Sequence, residues 1–472
     1  MKQLLTFAFL LFCFSAFAQE DQYQEDKLFP PEVLQSDFAV LAESLQDTHP
    51  SLYAFIEPDS LDQLIKTTKA SLTEALTEEE FHIVVRKFLR NIRCGHTMAI
   101  PSADWYSLQI NDSRVPPLDV VLLGEELFVK FAFEKGDALR PGSKIISING
   151  IQSAEIIRRM RAFHEVDGYN STFEDSKIER SFTTYFLFLY GRSDYYEIRY
   201  LDEKSEVQLA RLQGGVKRPK QTRDETAPEV SASMAGAKFY ILEENLAYLD
   251  INRFSSEGFK KFYKTTFASI ADAGIEHLVI DLRGNGGGYF PHGNCLLGYL
   301  LEDDFEMEFS RPKTSTKDLS HLNIPFSAKL TNGLFKLIPD REKDDPRRNY
   351  NINYKSISKN AYGGKIYVLI DGGSFSTSGI VAAKLKHHTE AIFIGQETGG
   401  GEVGSNAIIK YNLTLPETKV RVVLPYYFMD HNVSPELKGR GVFPDIEVEY
   451  SIEEILSGKD KEMEKVRALI QE

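Results

Sequence analysis

The sequence predicts an α/β fold divided among several domains, and three observations lead there. After residue 236, strand-like runs alternate with helix-like ones. Runs such as His277-Leu-Val-Ile-Asp281 and Ile366-Tyr-Val-Leu-Ile370 are apolar along most of their length, as strands buried on both faces are. The 472 residues, 42% hydrophobic and 26% charged, are ordinary globular material and exceed one domain at ~100–200 residues each. The same composition excludes disorder, collagen-like repeats and a disulfide scaffold, since only Cys13, Cys94 and Cys295 occur. With 69 acidic against 55 basic residues the net charge is −14, which opposes non-specific binding to nucleic acid or to an anionic membrane surface.

Residues 1–18 have the layout of an export signal: Lys2 at the start, an apolar stretch over 4–14, then Ala16-Phe17-Ala18 with small residues where a signal peptidase inspects. Cleavage before Gln19 is expected, giving a periplasmic or secreted product with no later run long enough to span a bilayer. A retained anchor would need ~20 apolar residues. A lipid attachment at Cys13 is opposed by the bulky Phe12.

Residues 19–110 form a helical module. Apolar residues recur three and four apart over 36–45, and Thr77 followed by Glu78, Glu79 and Glu80 is the cap and acidic first turn of a helix. Residues 111–215 shift to short strands at 118–123, 127–133, 144–148 and 195–201. There a Pro141-Gly142 turn leads into a strand that ends at Asn149-Gly150, which resembles the corresponding stretch of a PDZ-like domain; another small β module would read the same way. Residues 216–235, charged and poor in large apolar side chains, form a linker. Residues 236–450 are the α/β core, with strands at 246–251, 277–282, 365–370 and 391–395 and helices at 256–273 and 376–386. Within that core 302–362 is a polar excursion, and 451–472 close the chain with a helix.

Two segments of the core carry chemistry. In Asp281-Leu-Arg-Gly-Asn-Gly-Gly-Gly288 a strand runs into four glycines, whose exposed N–H groups suit an anion or a developing oxyanion, or merely a tight turn. The spacing is not G-x-G-x-x-G, and Tyr289 stands where a third glycine would be. In Asp371-Gly-Gly-Ser-Phe-Ser-Thr-Ser-Gly379 a strand ends at a Gly-Gly turn and a small-residue helix follows, a seat for a nucleophilic serine. Ordinary helix capping is the better explanation for at least two of Ser374, Ser376, Thr377 and Ser378.

Together with Ile394-Gly-Gln-Glu-Thr-Gly-Gly-Gly401 and Gly441-Val-Phe-Pro-Asp-Ile-Glu-Val448, these segments resemble, in order, the core of the C-terminal processing (tail-specific) serine proteases. The resemblance implies a crotonase-like core, Ser376 as nucleophile, and backbone amides of Gly287 and Thr377 as oxyanion donors. One departure matters. The bacterial members carry a lysine base where this chain has Gly401. His96, in Arg93-Cys-Gly-His-Thr-Met98, is similar to the motif with which the lysine-lacking, tricorn-type branch supplies a histidine, so a Ser376–His96 pair is expected. The other nine histidines carry no motif; His321 and His431 fall in polar loops, and His387 and His388 end a helix. That branch also implies an orienting carboxylate just ahead of Gly441-Val442. Lys438 stands at the matching position, which leaves Glu436, Glu397 and Glu402 as candidates, besides a serine hydroxyl or a backbone carbonyl.

The pattern therefore implies an exported serine-type endopeptidase acting on polypeptides, with no cofactor. No His-Glu-x-x-His or Cys-x-x-Cys supplies a metal site. The alternatives are an esterase using the same residues, or a non-catalytic peptide- or apolar-ligand-binding protein that kept the fold. Cys94 and Cys295 flank the two implied active-site segments and would be either a disulfide or two buried thiols.

Overall fold

The computed structural model describes residues 23–111, 114–133, 139–219, 228–312, 322–335 and 347–472. The export signal and part of the linker therefore lie outside the described residues.

The centre is a seven-stranded sheet in the order Ile446–Glu447, Ile392–Gly395, Lys365–Ile370, His277–Asp281, Leu246–Ile251, Ala237–Glu243, Ala232–Met234. Neighbours are parallel from the first strand to Leu246–Ile251, and the last two strands join antiparallel. The two faces of one strand enter different cores. Leu278 and Ile280 pack with the helices Phe259–Ala273, Phe290–Leu300 and Thr377–His388, while Val279 joins Tyr367, Leu369, Val448, Met463 and Val466 under the C-terminal helix Lys461–Gln471. This two-sided burial explains the unbroken apolar runs.

A second, antiparallel sheet runs Met98–Ile100, Arg421–Asp430, Phe305–Pro312, Arg347–Tyr354, with Gly404–Thr414 also paired to Arg421–Asp430. Two of its strands lie inside the stretch expected to be a polar excursion. Along Phe305–Pro312, Phe305, Met307 and Phe309 point to the core while Glu306 and Glu308 are half-buried on the other face. Its edge strand Met98–Ile100 begins two residues after His96 and pairs with Val423, Val422 and Arg421, so this sheet fixes the histidine segment to the core.

A third, six-stranded sheet contains Leu118–Leu123, Glu126–Ala132, Lys144–Ile148, Tyr195–Leu201 and Val207–Gln213, with Ile151–Gln152 paired to Lys144–Ile148. It carries two helices, Ser153–Phe163 and Thr172–Tyr190, and closes its own apolar cluster around Ile156, Met160, Ile178 and Phe182. The helices Pro31–Thr48, Pro58–Ser71 and Glu78–Arg90 do not stand apart. Leu34, Phe38, Phe81 and Phe88 share one cluster with Phe239 and Leu278 of the central sheet. The last of these helices has the expected start: the Glu80 amide donates to the Thr77 hydroxyl at 3.2 Å and the Glu80 carboxylate accepts from the Thr77 amide at 2.9 Å.

Candidate active site

The site forms where the strand Lys365–Ile370 turns into the helix Thr377–His388. Ser376 stands at the junction with φ 59° and ψ −119°, a left-handed backbone conformation that costs a non-glycine residue ~1–3 kcal/mol. Capping does not account for the hydroxyls here, because the Ser376 side chain makes no cap hydrogen bond. Its neighbours instead tie the turn to the glycine loop. Ser374 donates to the Leu282 carbonyl at 2.7 Å, Thr377 to Gly288 at 3.0 Å and Ser378 to Asn285 at 2.8 Å. The Ser376 hydroxyl is left facing His96, whose Nε2 lies 3.1 Å from its Oγ.

The glycine loop packs directly under this turn. A Cβ on Gly287 would come within 2.7 Å of the Phe375 carbonyl oxygen and 2.9 Å of the Thr377 nitrogen, and φ there is +94°. Asn285, buried and carrying no recognisable signal in the sequence, organises the contact: its side chain donates to Ile251, its carbonyl accepts from the Phe375 amide at 3.0 Å, and its Oδ1 accepts from the Gly287 amide at 2.8 Å. That last bond departs from expectation, since the Gly287 amide is already engaged. The Thr377 amide is the first of its helix and belongs to the set that a helix leaves without an intrahelical acceptor.

His96 is 3% exposed and arrives on a strained chain, because Arg93 has φ 56°. Its ring stacks on Phe375, centroids 4.5 Å apart, and Phe375 stacks in turn on Phe173 at 4.1 Å. Burial, followed by the positive charges of Lys410 and Lys177, holds the imidazole well below its ordinary pKa. It is neutral near pH 7 and can accept a proton at Nε2.

The expected carboxylate is not beside it. Glu436 is exposed, and among the described residues His96 Nδ1 is buried without a hydrogen-bond partner. Glu397 is spent on the Arg440 guanidinium and the Gly441 amide, and Glu402 on His387. The other buried histidines have structural partners or none: His49 meets Thr97, His82 the Ala99 carbonyl, and His292 both Tyr263 and Ser255. His431, expected in a polar loop, is fully buried against the Glu402 carbonyl. Cys94 and Cys295 are free thiols, and Cys94 Sγ accepts from the Asn406 side chain at 3.3 Å.

Residues 245–448 match the model of peptidase family S41. Over these residues the chain is similar to that family. The tail-specific protease of Haemophilus influenzae is 25% identical over 223 residues, which cover 46% of this chain and 27% of that protein; the match thus spans about a quarter of that relative's length. Among solved structures, mature CPAF complexed with lactacystin superposes with a TM-score of 0.67 at 15% identity, covering 93% of this chain and 98% of that one. Mature CPAF alone gives the same score and identity over 93% and 97%. The chain is thus a mixed α/β protein with the overall fold of CPAF.

Proposed function

We propose that the protein is an exported serine-type endopeptidase of the tail-specific kind in which Ser376 attacks the scissile carbonyl and His96 is the general base. The observation that carries this reading is the 3.1 Å approach of His96 Nε2 to Ser376 Oγ across 280 residues of chain. Nε2 takes the serine proton as the Oγ–C bond forms, then returns it to the leaving amine. The Thr377 amide, beside a helix N-terminus, holds the oxyanion. A role for Gly287 in the same task requires its amide to leave Asn285. The histidine base and Gly401 in place of a lysine favour the tricorn-type arrangement. Residues 111–215 act as the PDZ-like peptide-holding unit beside a crotonase-like core, and the leader over 1–18 directs the chain to the periplasm or beyond. Among the described residues no helix is long and apolar enough to cross a membrane.

Incubation with an unfolded polypeptide and with a fluorophosphonate probe tests the reading. The wild-type protein is expected to cleave the polypeptide and to be labelled at Ser376. Ser376→Ala and His96→Ala should each lower kcat by ~10³-fold or more. Stoichiometric peptide binding without labelling or turnover would replace the enzyme with a binding protein.

A further inference from the structure

His96 lacks a carboxylate partner, yet one buried carboxylate reaches the segment that carries it. Asp167, in the loop before the helix Thr172–Tyr190, is 8% exposed, and its Oδ1 accepts the Gly95 amide at 2.7 Å. The Gly401 backbone faces the same carboxyl group and pulls its pKa down. The residues around it form a clamp. The Gly168 amide donates to the Arg93 carbonyl at 3.0 Å, the Arg93 guanidinium returns a bond to the Gly168 carbonyl at 3.2 Å, and that guanidinium lies over the Tyr169 ring. Asn170 donates to the Thr398 carbonyl at 2.7 Å, and the Gly400 amide donates to Ser374 at 3.0 Å. One carboxylate therefore joins the segment bearing His96 to the glycine segment that backs the Ser376 turn.

A second observation concerns charge. His96 Nδ1 and Asp167 Oδ2 are both buried, and neither has a hydrogen-bond partner among the described residues. An imidazole that accepts the serine proton becomes a cation whose Nδ1–H requires an acceptor, and a buried cation without a nearby anion is costly. We propose that Asp167 is the acidic positioning residue of the Ser376–His96 pair, fixing the histidine segment against the nucleophile turn and supplying the negative charge that the imidazolium needs. This rests on the peptidase reading above.

The groups facing Asp167 are Cys94 and the Gly95 amide on the histidine segment and Lys177 on the helix Thr172–Tyr190; behind Lys177 stand Glu165, Glu174 and Arg86. Burial pushes the Asp167 carboxyl up to about 6, against the pull of the Gly95 amide, the Gly401 backbone and Lys177. Below that pH the carboxyl gains a proton and its charge is lost, so turnover should fall on the acid side near pH 6.

Asp167→Asn keeps the shape and an acceptor for the Gly95 amide but removes the charge. We expect kcat to fall ~10²-fold with KM changed less than about threefold, labelling of Ser376 to slow in proportion, and the acid limb near pH 6 to disappear. Turnover within about twofold of wild type with the limb retained overturns the proposal. Should the variant fail to fold, the wild-type labelling rate decides: a rate flat from pH 7.5 to 5 overturns it, and a limb near 6 supports it. Wild-type protein that is not labelled at Ser376 overturns the peptidase reading and this proposal together. Equal labelling of wild type and Asp167→Asn overturns this proposal alone.

Discussion

The glycine at 287 shows how narrowly a single residue is constrained at this site. With φ at +94° and the Phe375 oxygen 2.7 Å from where a Cβ would sit, alanine there must push the Ser376 turn or flatten its own backbone. Either movement displaces Ser376 from His96, and misplacement by ~1 Å costs on the order of 10²-fold in rate. Gly287→Ala should therefore lower kcat by about that factor while the protein stays folded, which steady-state kinetics beside a thermal melt will show. An unchanged kcat would mean that the glycine loop does not support the turn. Gly95 is constrained from the other side, since a Cβ there would lie 2.9 Å from the Phe375 ring against which His96 stacks.

Among elements, the C-terminal helix Lys461–Gln471 is held by one arginine. Arg283, between the strand His277–Asp281 and the glycine loop, binds Asp281, Asp460 and Glu462 together, and Tyr248 and Tyr450 complete the cluster by donating to Asp281 and Glu462. Removing the guanidinium leaves three carboxylates clustered, two of them largely buried, without their cation. Arg283→Leu should cost about 3 kcal/mol in urea denaturation and loosen the helix, seen as faster amide exchange over 461–471. How much of the fold could be read in the sequence follows the same division into elements. The parallel strands were legible because burial on both faces makes them apolar throughout, and the observed Leu246–Ile251 and Lys365–Ile370 coincide with the expected bounds. The second sheet was not. Arg347–Tyr354 carries two arginines and three asparagines among its eight residues, and only its pairing with Phe305–Pro312 makes it a strand. The segments that bring Ser376 and His96 within 3.1 Å stand out in the sequence by their motifs. Asp167 and Asn285 do not, because their roles are contacts with residues 72 and 93 positions away that no local pattern records.

For the molecule as a whole, six of the nine histidines among the described residues, His49, His82, His96, His164, His292 and His431, are buried. Burial pushes His49 and His82 down to about 3 and His292 and His431 to about 4, with His96 and His164 also well below the ordinary value. In the unfolded chain each titrates near 6.5, so as pH falls through that value the unfolded state binds protons that the folded state refuses. Stability contributed by these neutral histidines is complete above pH 6.5 and is lost below it, at about 1 kcal/mol per histidine one pH unit lower. Buried carboxyls act in the opposite sense: burial raises Glu79 to about 7 and Asp167 to about 6, and pushes Glu78, Glu174, Asp175, Glu179, Asp250, Asp371, Asp430 and Glu462 up as well, so the folded state holds protons that the unfolded chain has released. Between pH 7 and 5.5 the six histidines outweigh the two carboxyls with large shifts, Glu79 and Asp167. The melting temperature should therefore drop by several degrees from pH 7.5 to 5.5, and His49→Asn should lessen that drop. Equal melting temperatures at the two pH values would mean that the six imidazoles are not held neutral in the folded protein.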